Sequence, residues 1–123
     1  MSQASSQASA FYREVAKTQV VWTIKDAGGF PAPETRTGER AMPFWSSKSR
    51  VERIIATVAA YKAFVPHEIS WSDFDHAWVP GLEKDGLLIG VNWSGAQATG
   101  YDVRPTELRA AVNAIISGDP GTP

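Results

Sequence analysis

The sequence predicts an α+β fold in a single domain, with a mixed β-sheet and about four packed helices. Its 123 residues fit one domain and are enough to bury a core without disulfides or metals. Hydrophobic residues make up 43% of the chain and charged residues 20%, which is typical of a globular protein. Segments with the helical spacing of apolar residues alternate with short β-branched and aromatic runs. We expect the domain to span residues 6–117, with disordered tails over 1–5 and 118–123.

The first half of the chain predicts one helix followed by a three-stranded meander. The predicted elements are a helix over residues 6–17 and strands over 20–24, 30–35 and 40–45. Gly28 and Gly29 favour a tight turn after the first strand, because paired glycines adopt positive φ angles at little cost. Pro31 and Pro33 remove two amide donors from the same edge of the second strand. We therefore expect that strand to be short, irregular or at an edge of the sheet.

The second half predicts alternating helices and strands, which continue the meander as a β-α-β-α-β arrangement with right-handed crossovers. The predicted elements are a helix over residues 46–60, a strand over 64–69, a short helix over 70–79, a central strand over 87–93, a loop over 94–100 and a last helix from residue 105. Ser49 and Glu52 have capping-box spacing in the first of these helices. Pro80 and Gly81 are expected to end the short helix. In the helix over residues 46–60, the residues that we expect in the core are Val51, Ile54, Ile55 and Val58.

Composition and charge exclude several classes of function. Twelve Lys and Arg face thirteen Asp and Glu, so the chain lacks the positive charge typical of nucleic-acid and anionic-lipid binding proteins. The absence of cysteine excludes disulfides, thiolate catalysis and cysteine metal sites. Apolar runs are too short to span a membrane. The first ten residues lack the cationic start and apolar middle of a secretory signal, and we therefore expect a cytoplasmic protein.

Four segments form a series of motifs. They are, in chain order, VWTIKD at 21–26, PFWS at 43–46, WVPGL at 78–82 and DGLLIGVNW at 85–93. In this order they resemble a bacterial family of unknown function, DUF2750, and the resemblance extends from about Phe11 to Leu108. The resemblance implies one compact α+β domain. It implies no catalytic residue, no cofactor and no established activity.

Aromatic residues at strand ends are the main candidates for a binding site. Five tryptophans are present, and Trp22, Trp45 and Trp93 lie in the strand motifs. They are interpreted either as core and rim packing or as the wall of a pocket or partner-binding face. Trp45-Ser46 and Asn92-Trp93 are expected where two strands end, the place where ligands collect in sheets with β-α-β units. Ser46 also precedes a helix whose first amides could receive an anionic or polar group.

Asn92 is a polar residue inside the strand that we expect to be most buried. A buried amide without a hydrogen bond costs on the order of 1–3 kcal/mol. The first interpretation is that Asn92 bridges neighbouring backbone or caps a loop. The second is that it points into a cavity beside Gly90, where the missing side chain leaves room for a ligand.

Residues able to carry catalysis are few. The only histidines are His67 and His76, and with Asp73 they offer too few ligands for a metal, so we expect no metal and no cofactor. The favoured function is a non-catalytic binding module that contacts a protein or a small ligand, and a two-fold homodimer is the expected assembly if the chain self-associates. One alternative is a hydrolase or transferase that uses either histidine as a base, with Asp26 or Asp85 nearby. Another is a toxin-immunity protein.

Overall fold

Helices surround two small sheets in residues 3–118, which are the part of the chain that the computed structural model describes. The helices are α1 (Gln3–Thr18), α2 (Lys48–Thr57), α3 (Trp71–Asp73), α4 (Val79–Lys84) and α5 (Pro105–Ile116). The strands are β1 (Val20–Lys25), β2 (Ala41–Phe44), β3 (Val65–Ser70), β4 (Leu88–Ser94) and β5 (Thr99–Val103). A π-helical turn (Phe74–Trp78) joins α3 to α4, and a 3-10 turn (Ala59–Tyr61) follows α2. The predicted α+β class is confirmed, while residues 1–2 and 119–123 of the predicted tails lie outside the described range.

The two sheets meet at a pair of tryptophans. β1 and β3 pair antiparallel, and β4 lies between β2, which runs parallel to it, and β5, which runs antiparallel. Trp22 and Trp45 exchange backbone hydrogen bonds of 2.8 and 2.7 Å, which link β1 to the end of β2. The buried hydroxyl of Thr23 strengthens this link by donating to the carbonyl of Pro43 at 2.8 Å. The predicted mixed pairing is therefore present in the β2-β4-β5 sheet, although β1 and β3 form a separate sheet at this junction. The predicted three-stranded meander is wrong, because β1 takes β3 as its partner and β2 pairs in parallel with β4.

Two elements of the sheet differ from the prediction. Residues 30–35 form no strand and make only an isolated bridge between Glu34 and Arg40, because the two prolines of this segment cannot donate to a ladder. The second element is β5: the sequence predicts a loop over residues 94–100, whereas the structure begins this strand at Thr99. Its burial explains the error, since only Val103 of its five residues is buried and an edge strand of this kind has no alternating apolar pattern.

The helix that begins at Trp71 continues past Pro80 and Gly81, where the sequence predicted its end. Pro80 has no amide to donate, so the carbonyl of Asp75, five residues earlier in the π-helical register, is free for another donor. Arg109 of α5 uses it: its Nη2 donates to the Asp75 carbonyl at 2.8 Å, and its Nε lies 2.7 Å from the Asp75 carboxylate. A tertiary contact thus satisfies the backbone that the proline leaves unpaired, and the helix runs on to Lys84.

The boundaries of the remaining helices differ from the prediction by a few residues. α1 begins at Gln3 instead of Ser6, and α5 begins at Pro105 as predicted. α2 covers Lys48–Thr57, and its N-cap is Ser47, whose hydroxyl accepts the amide of Arg50 at 3.3 Å. The predicted capping box at Ser49 is therefore wrong. The first helical turn is instead capped two residues earlier.

The hydrophobic core consists of two clusters, and β4 contributes to both: Ile89 and Val91 belong to the first, and Trp93 belongs to the second. The first cluster lies against α1, α5 and the helix from Trp71 to Lys84, and includes Phe11, Val15, Phe44, Phe74, Ile89, Val91 and Leu108. The second lies against α2 and includes Ile24, Trp45, Val51, Ile54, Val58, Tyr61, Trp93 and Ala98. Three of the four predicted core residues of α2 are buried, whereas Ile55 is only half-buried at the margin of the second cluster.

Candidate functional site

The ends of the parallel strands β2 and β4 bring together four of the five predicted site residues. Trp45 and Ser46 follow β2, and Asn92 and Trp93 lie near the end of β4. The indole Nε1 of Trp45 donates to the backbone carbonyl of Trp93 at 2.8 Å. The backbone amide of Ser46 donates to Oδ1 of Asn92 at 3.0 Å. A side chain at the end of each strand thus forms a hydrogen bond with the backbone at the end of the other strand.

A bulge in β4 determines where these side chains lie. Asn92 has a φ of 49°, in the left-handed region, and the pairing register with β5 shifts between Val91 and Ser94. Asparagine tolerates this conformation better than most residues. After the bulge, the indole of Trp93 lies against Gly90, so close that a Cβ atom at Gly90 would be 2.2 Å from Cε2 of the ring. The room beside Gly90, considered above as space for a ligand, is filled by Trp93.

Asn92 and Ser46 form the buried end of a polar network that reaches partly exposed residues of α1 and α2. Nδ2 of Asn92 donates to the Ser46 hydroxyl at 3.1 Å and to the carbonyl of Gln7 at 3.4 Å. The Ser46 hydroxyl donates to Oε1 of Glu14 at 2.5 Å. Arg50 holds the same carboxylate through Nε at 3.1 Å and Nη2 at 2.9 Å. This is the bridging role that the first interpretation gave to Asn92.

The network is built around an ionised Glu14. The hydrogen bond from Arg50 is the largest influence on its pKa, and with the bond from Ser46 it lowers the pKa below 4.5 despite partial burial. Ser46 is 2% exposed and Asn92 1% exposed. Their polar atoms therefore bind groups within the chain. Any contribution of these two residues to a ligand site acts through the positions of Arg50, Trp45 and Trp93.

A cavity of about 200 Å³ lies beside this network, and we refer to it as the arginine cavity. Its lining includes Trp45, Arg50, Arg53, Asn92 and Trp93. The described residues around it include two arginines and no Asp or Glu. Glu14 compensates Arg50, while Arg53 forms no ion pair within residues 3–118. The cavity therefore combines two indoles with one uncompensated positive charge.

Comparison with known proteins identifies the family. The family model described as "Protein of unknown function (DUF2750)" matches residues 8–112 of the 123-residue chain. The chain belongs to this family. The match includes the polar network from Glu14 onwards and every residue that lines the arginine cavity. A search of curated proteins finds no match.

Trp22 is the predicted site residue that the DUF2750 fold places apart from the others. It is half-buried against the second cluster and pairs with Trp45 only through the backbone. It does not line the arginine cavity. Sequence reasoning misses Glu14, Arg50 and Arg53, because the apolar stripes of their helices leave these charged residues on the opposite faces, where solvent is the expected contact. The spacing of the two arginines, three residues apart in one helix, is the signal that could have indicated a shared face.

The histidines of the alternative catalytic hypotheses lie among aromatic rings and backbone. The ring of His67 lies 5.2 Å from that of Phe30, and burial followed by the charge of Lys25 lowers its pKa. Nδ1 of His76 lies 2.8 Å from the carbonyl oxygen of Ser72. The Asp26 carboxylate accepts the amide of Gly28 at 2.8 Å, which is a local turn contact. No group of three potential metal ligands exists within residues 3–118.

None of the helices between residues 3 and 118 combines the length and the apolar character that crossing a bilayer requires.

Proposed function

We propose that this chain is a non-catalytic binding module whose arginine cavity holds a small organic anion. The observation that carries the proposal is the composition of the cavity at the joint end of β2 and β4. Two indoles and two guanidinium groups line it, and the described residues add no carboxylate to its lining. Such an arrangement suits a flat anion, because arginine binds carboxylate and phosphate oxygens with directed hydrogen bonds and indoles pack against planar groups.

The two arginines contribute differently to the proposed binding. Glu14 fixes Arg50 with two hydrogen bonds, so little side-chain entropy is lost when a ligand contacts it. Arg53 is exposed and has no ion-pair partner among residues 3–118, so it supplies the net positive charge. The volume of about 200 Å³ is below the ~300–1,000 Å³ range of pockets for drug-sized molecules. We therefore expect a ligand of the size of benzoate.

The chemistry of the polar network supports a binding role over catalysis. The Ser46 hydroxyl is buried and donates to Glu14. Arg50 lowers the pKa of Glu14, and a carboxylate of lowered pKa is a weak base at neutral pH. This pair is therefore poorly suited to generate a nucleophile. The proposed setting is the cytoplasm of a bacterium: the resemblance to DUF2750 suggests the bacterium, and a chain without cysteine suits the cytoplasm.

The test is a titration of the 15N-labelled chain with benzoate, observed through the indole N–H signals of its tryptophans. We expect the Trp45 and Trp93 signals to shift with one common affinity, and the Trp71 and Trp78 signals to stay. Benzamide is the matched neutral ligand and should bind more weakly by roughly tenfold or more, because it lacks the charge that pairs with Arg53. Equal binding of both ligands, or shifts confined to the helix from Trp71, would contradict the proposal.

A matched pair of variants tests the residue assignment. Arg53→Gln should weaken benzoate binding by roughly tenfold, since it removes the uncompensated charge and keeps much of the side-chain length. Arg104→Gln removes a charge from an exposed arginine that does not line the cavity and should leave the affinity unchanged. If the two variants had the same effect, non-specific attraction of the anion would explain the binding.

A further inference from the structure

A second and larger cavity shares Trp93 with the arginine cavity. Its volume is about 500 Å³, and its lining residues come from the segments 33–37, 58–61 and 97–102. We refer to it as the Tyr61 cavity. Its volume lies within the ~300–1,000 Å³ range of sites for small organic molecules. It therefore has room for a ligand larger than the one proposed for the arginine cavity.

The apolar part of this lining belongs to the hydrophobic core. Val58, Tyr61, Trp93 and Ala98 are only 7%, 8%, 5% and 7% exposed, and all four are members of the second cluster. Their packing fixes them before any ligand arrives. A preformed apolar wall that includes two aromatic residues is suited to an aromatic or branched apolar group.

Asp102 adds one carboxylate to this wall. Its Oδ1 accepts the indole N–H of Trp93 at 2.9 Å, which fixes the orientation of the group. An ionised carboxylate has about four acceptor positions, so this bond leaves most of its capacity unused. No lysine, arginine or histidine forms an ion pair with Asp102 within residues 3–118. Burial, as the largest influence, and the charge of Glu39 raise its pKa, while the bond from Trp93 lowers it.

The other charges around the Tyr61 cavity do not provide the missing partner. Glu34 also lines it, so carboxylates outnumber cations among the charged lining residues that the structure describes. The one lining cation, Arg36, lies on an exposed turn that the amide of Gly38 closes on Thr35 at 3.0 Å. Arg36 forms no ion pair in the described part of the chain. A positively charged ligand would therefore supply what Asp102 lacks.

We propose that the Tyr61 cavity is a binding site for a protonated amine attached to an aromatic or branched apolar body. The ammonium group donates to Asp102, and the apolar body packs against Tyr61 and Trp93, whose ring faces also attract a cation. The inference is independent of the arginine cavity, since the two sites select opposite charges. It goes beyond the proposed anion-binding function by assigning a second ligand class.

The test uses 2-phenylethylamine as the probe, with the 15N-labelled chain at neutral pH. We expect shifts in the backbone amides of Tyr61, Ala98 and Gly100 and in the Trp93 indole signal. The Trp45 indole, which lines only the arginine cavity, should not respond. This signal keeps the outcomes for the two cavities distinguishable.

Two matched ligands test the charge selectivity without any variant. The neutral 2-phenylethanol and the anionic 3-phenylpropionate carry the same ring on a similar chain. Each should bind the Tyr61 cavity at least roughly tenfold more weakly than the amine, because neither can donate a charged hydrogen bond to Asp102. Equal binding of the alcohol and the amine would overturn the proposal, and so would shifts that map outside the cavity.

Asp102→Asn tests the carboxylate directly. The amide oxygen can still accept the Trp93 N–H, and the variant removes a half-buried charge, so we expect it to fold. Amine binding should fall by roughly tenfold, while binding of 2-phenylethanol should not change. The control is Glu83→Gln, at an exposed acid of α4 that does not line the cavity. Retained amine affinity in Asp102→Asn would refute the assignment.

Discussion

Replacing Gly90 with alanine tests whether Trp93 is wedged against β4. A Cβ atom at Gly90 would lie 2.2–2.4 Å from Cε2, Cζ2 and Nε1 of the Trp93 ring, whereas ordinary contacts begin at 3.4 Å. The ring would have to retreat by about 1.2 Å. Its hydrogen bond to Asp102 and the close approach of Gly100, whose Cβ position is 3.0 Å from Cδ1, restrict that movement.

The magnitude follows from two losses. Overpacking a core costs about 1–3 kcal/mol, and losing the Trp93–Asp102 hydrogen bond adds about 1 kcal/mol. We therefore expect Gly90→Ala to lower the free energy of unfolding by about 2–4 kcal/mol, a large fraction of the 5–15 kcal/mol typical of a domain. Alanine also restricts the unfolded chain more than glycine does. A measured loss is therefore attributable to the native state.

Urea unfolding monitored by circular dichroism measures this loss. Gly81→Ala is the matched control, because Gly81 lies in α4 and a Cβ there would meet no atom within 4 Å. It should stabilise the protein by about 0.5–1 kcal/mol. In a Trp93→Leu background, which lacks the clashing ring atoms, Gly90→Ala should cost almost nothing. A loss of unfolding free energy below about 0.5 kcal/mol in the native background, or the same loss in both backgrounds, would refute the close packing of Trp93 on Gly90.

Two further predictions concern α2 and the polar network. Ile54→Ala should cost about 2–5 kcal/mol, and Ile55→Ala roughly half of that or less, because Ile54 is 3% exposed and Ile55 only half-buried. Equal losses in urea unfolding would contradict these positions. Arg50 holds the pKa of Glu14 below 4.5, and because the Glu14 side chain is 39% exposed, solvent screens the pair, so Glu14→Gln should lower stability by only about 0.5 kcal/mol at neutral pH. That difference should shrink as the pH falls from 4.5 through the lowered pKa, and a difference that persists in strong acid would contradict it.

Much of the fold could be predicted because its signals are local. The apolar run of β4, the helical stripe of α2 and the proline at the start of α5 each identify an element from neighbouring residues. β5 has no such signal. Its pairing of Val103 with Ile89 and of Asp102 with Gly90 creates the strand, although four of its five residues are not buried. Tertiary pairing decides this element where local propensity does not.

The candidate site was predictable in position and not in composition. Trp45 lies near Trp93 because the parallel strands β2 and β4 end side by side, and the sequence predicts this arrangement. Glu14 lies 32 residues from Ser46 in sequence, and nothing near either residue indicates that the two side chains meet. The same is true of Asp102. Its hydrogen bond to the Trp93 indole depends on the β4–β5 hairpin, and the sequence predicts a loop where β5 begins.

Three unusual features of β4 and β5 have one physical explanation in Trp93. A glycine inside a strand lowers stability by roughly 0.5–1 kcal/mol, and β4 and β5 each contain one, at Gly90 and Gly100. The left-handed backbone of Asn92 costs about 1 kcal/mol more. Burying an indole of about 150–250 Å² gains about 4–6 kcal/mol at most, which offsets these costs. The glycines make room for the ring, and the bulge turns it towards them. The result is one rigid aromatic side chain that lines both proposed ligand sites.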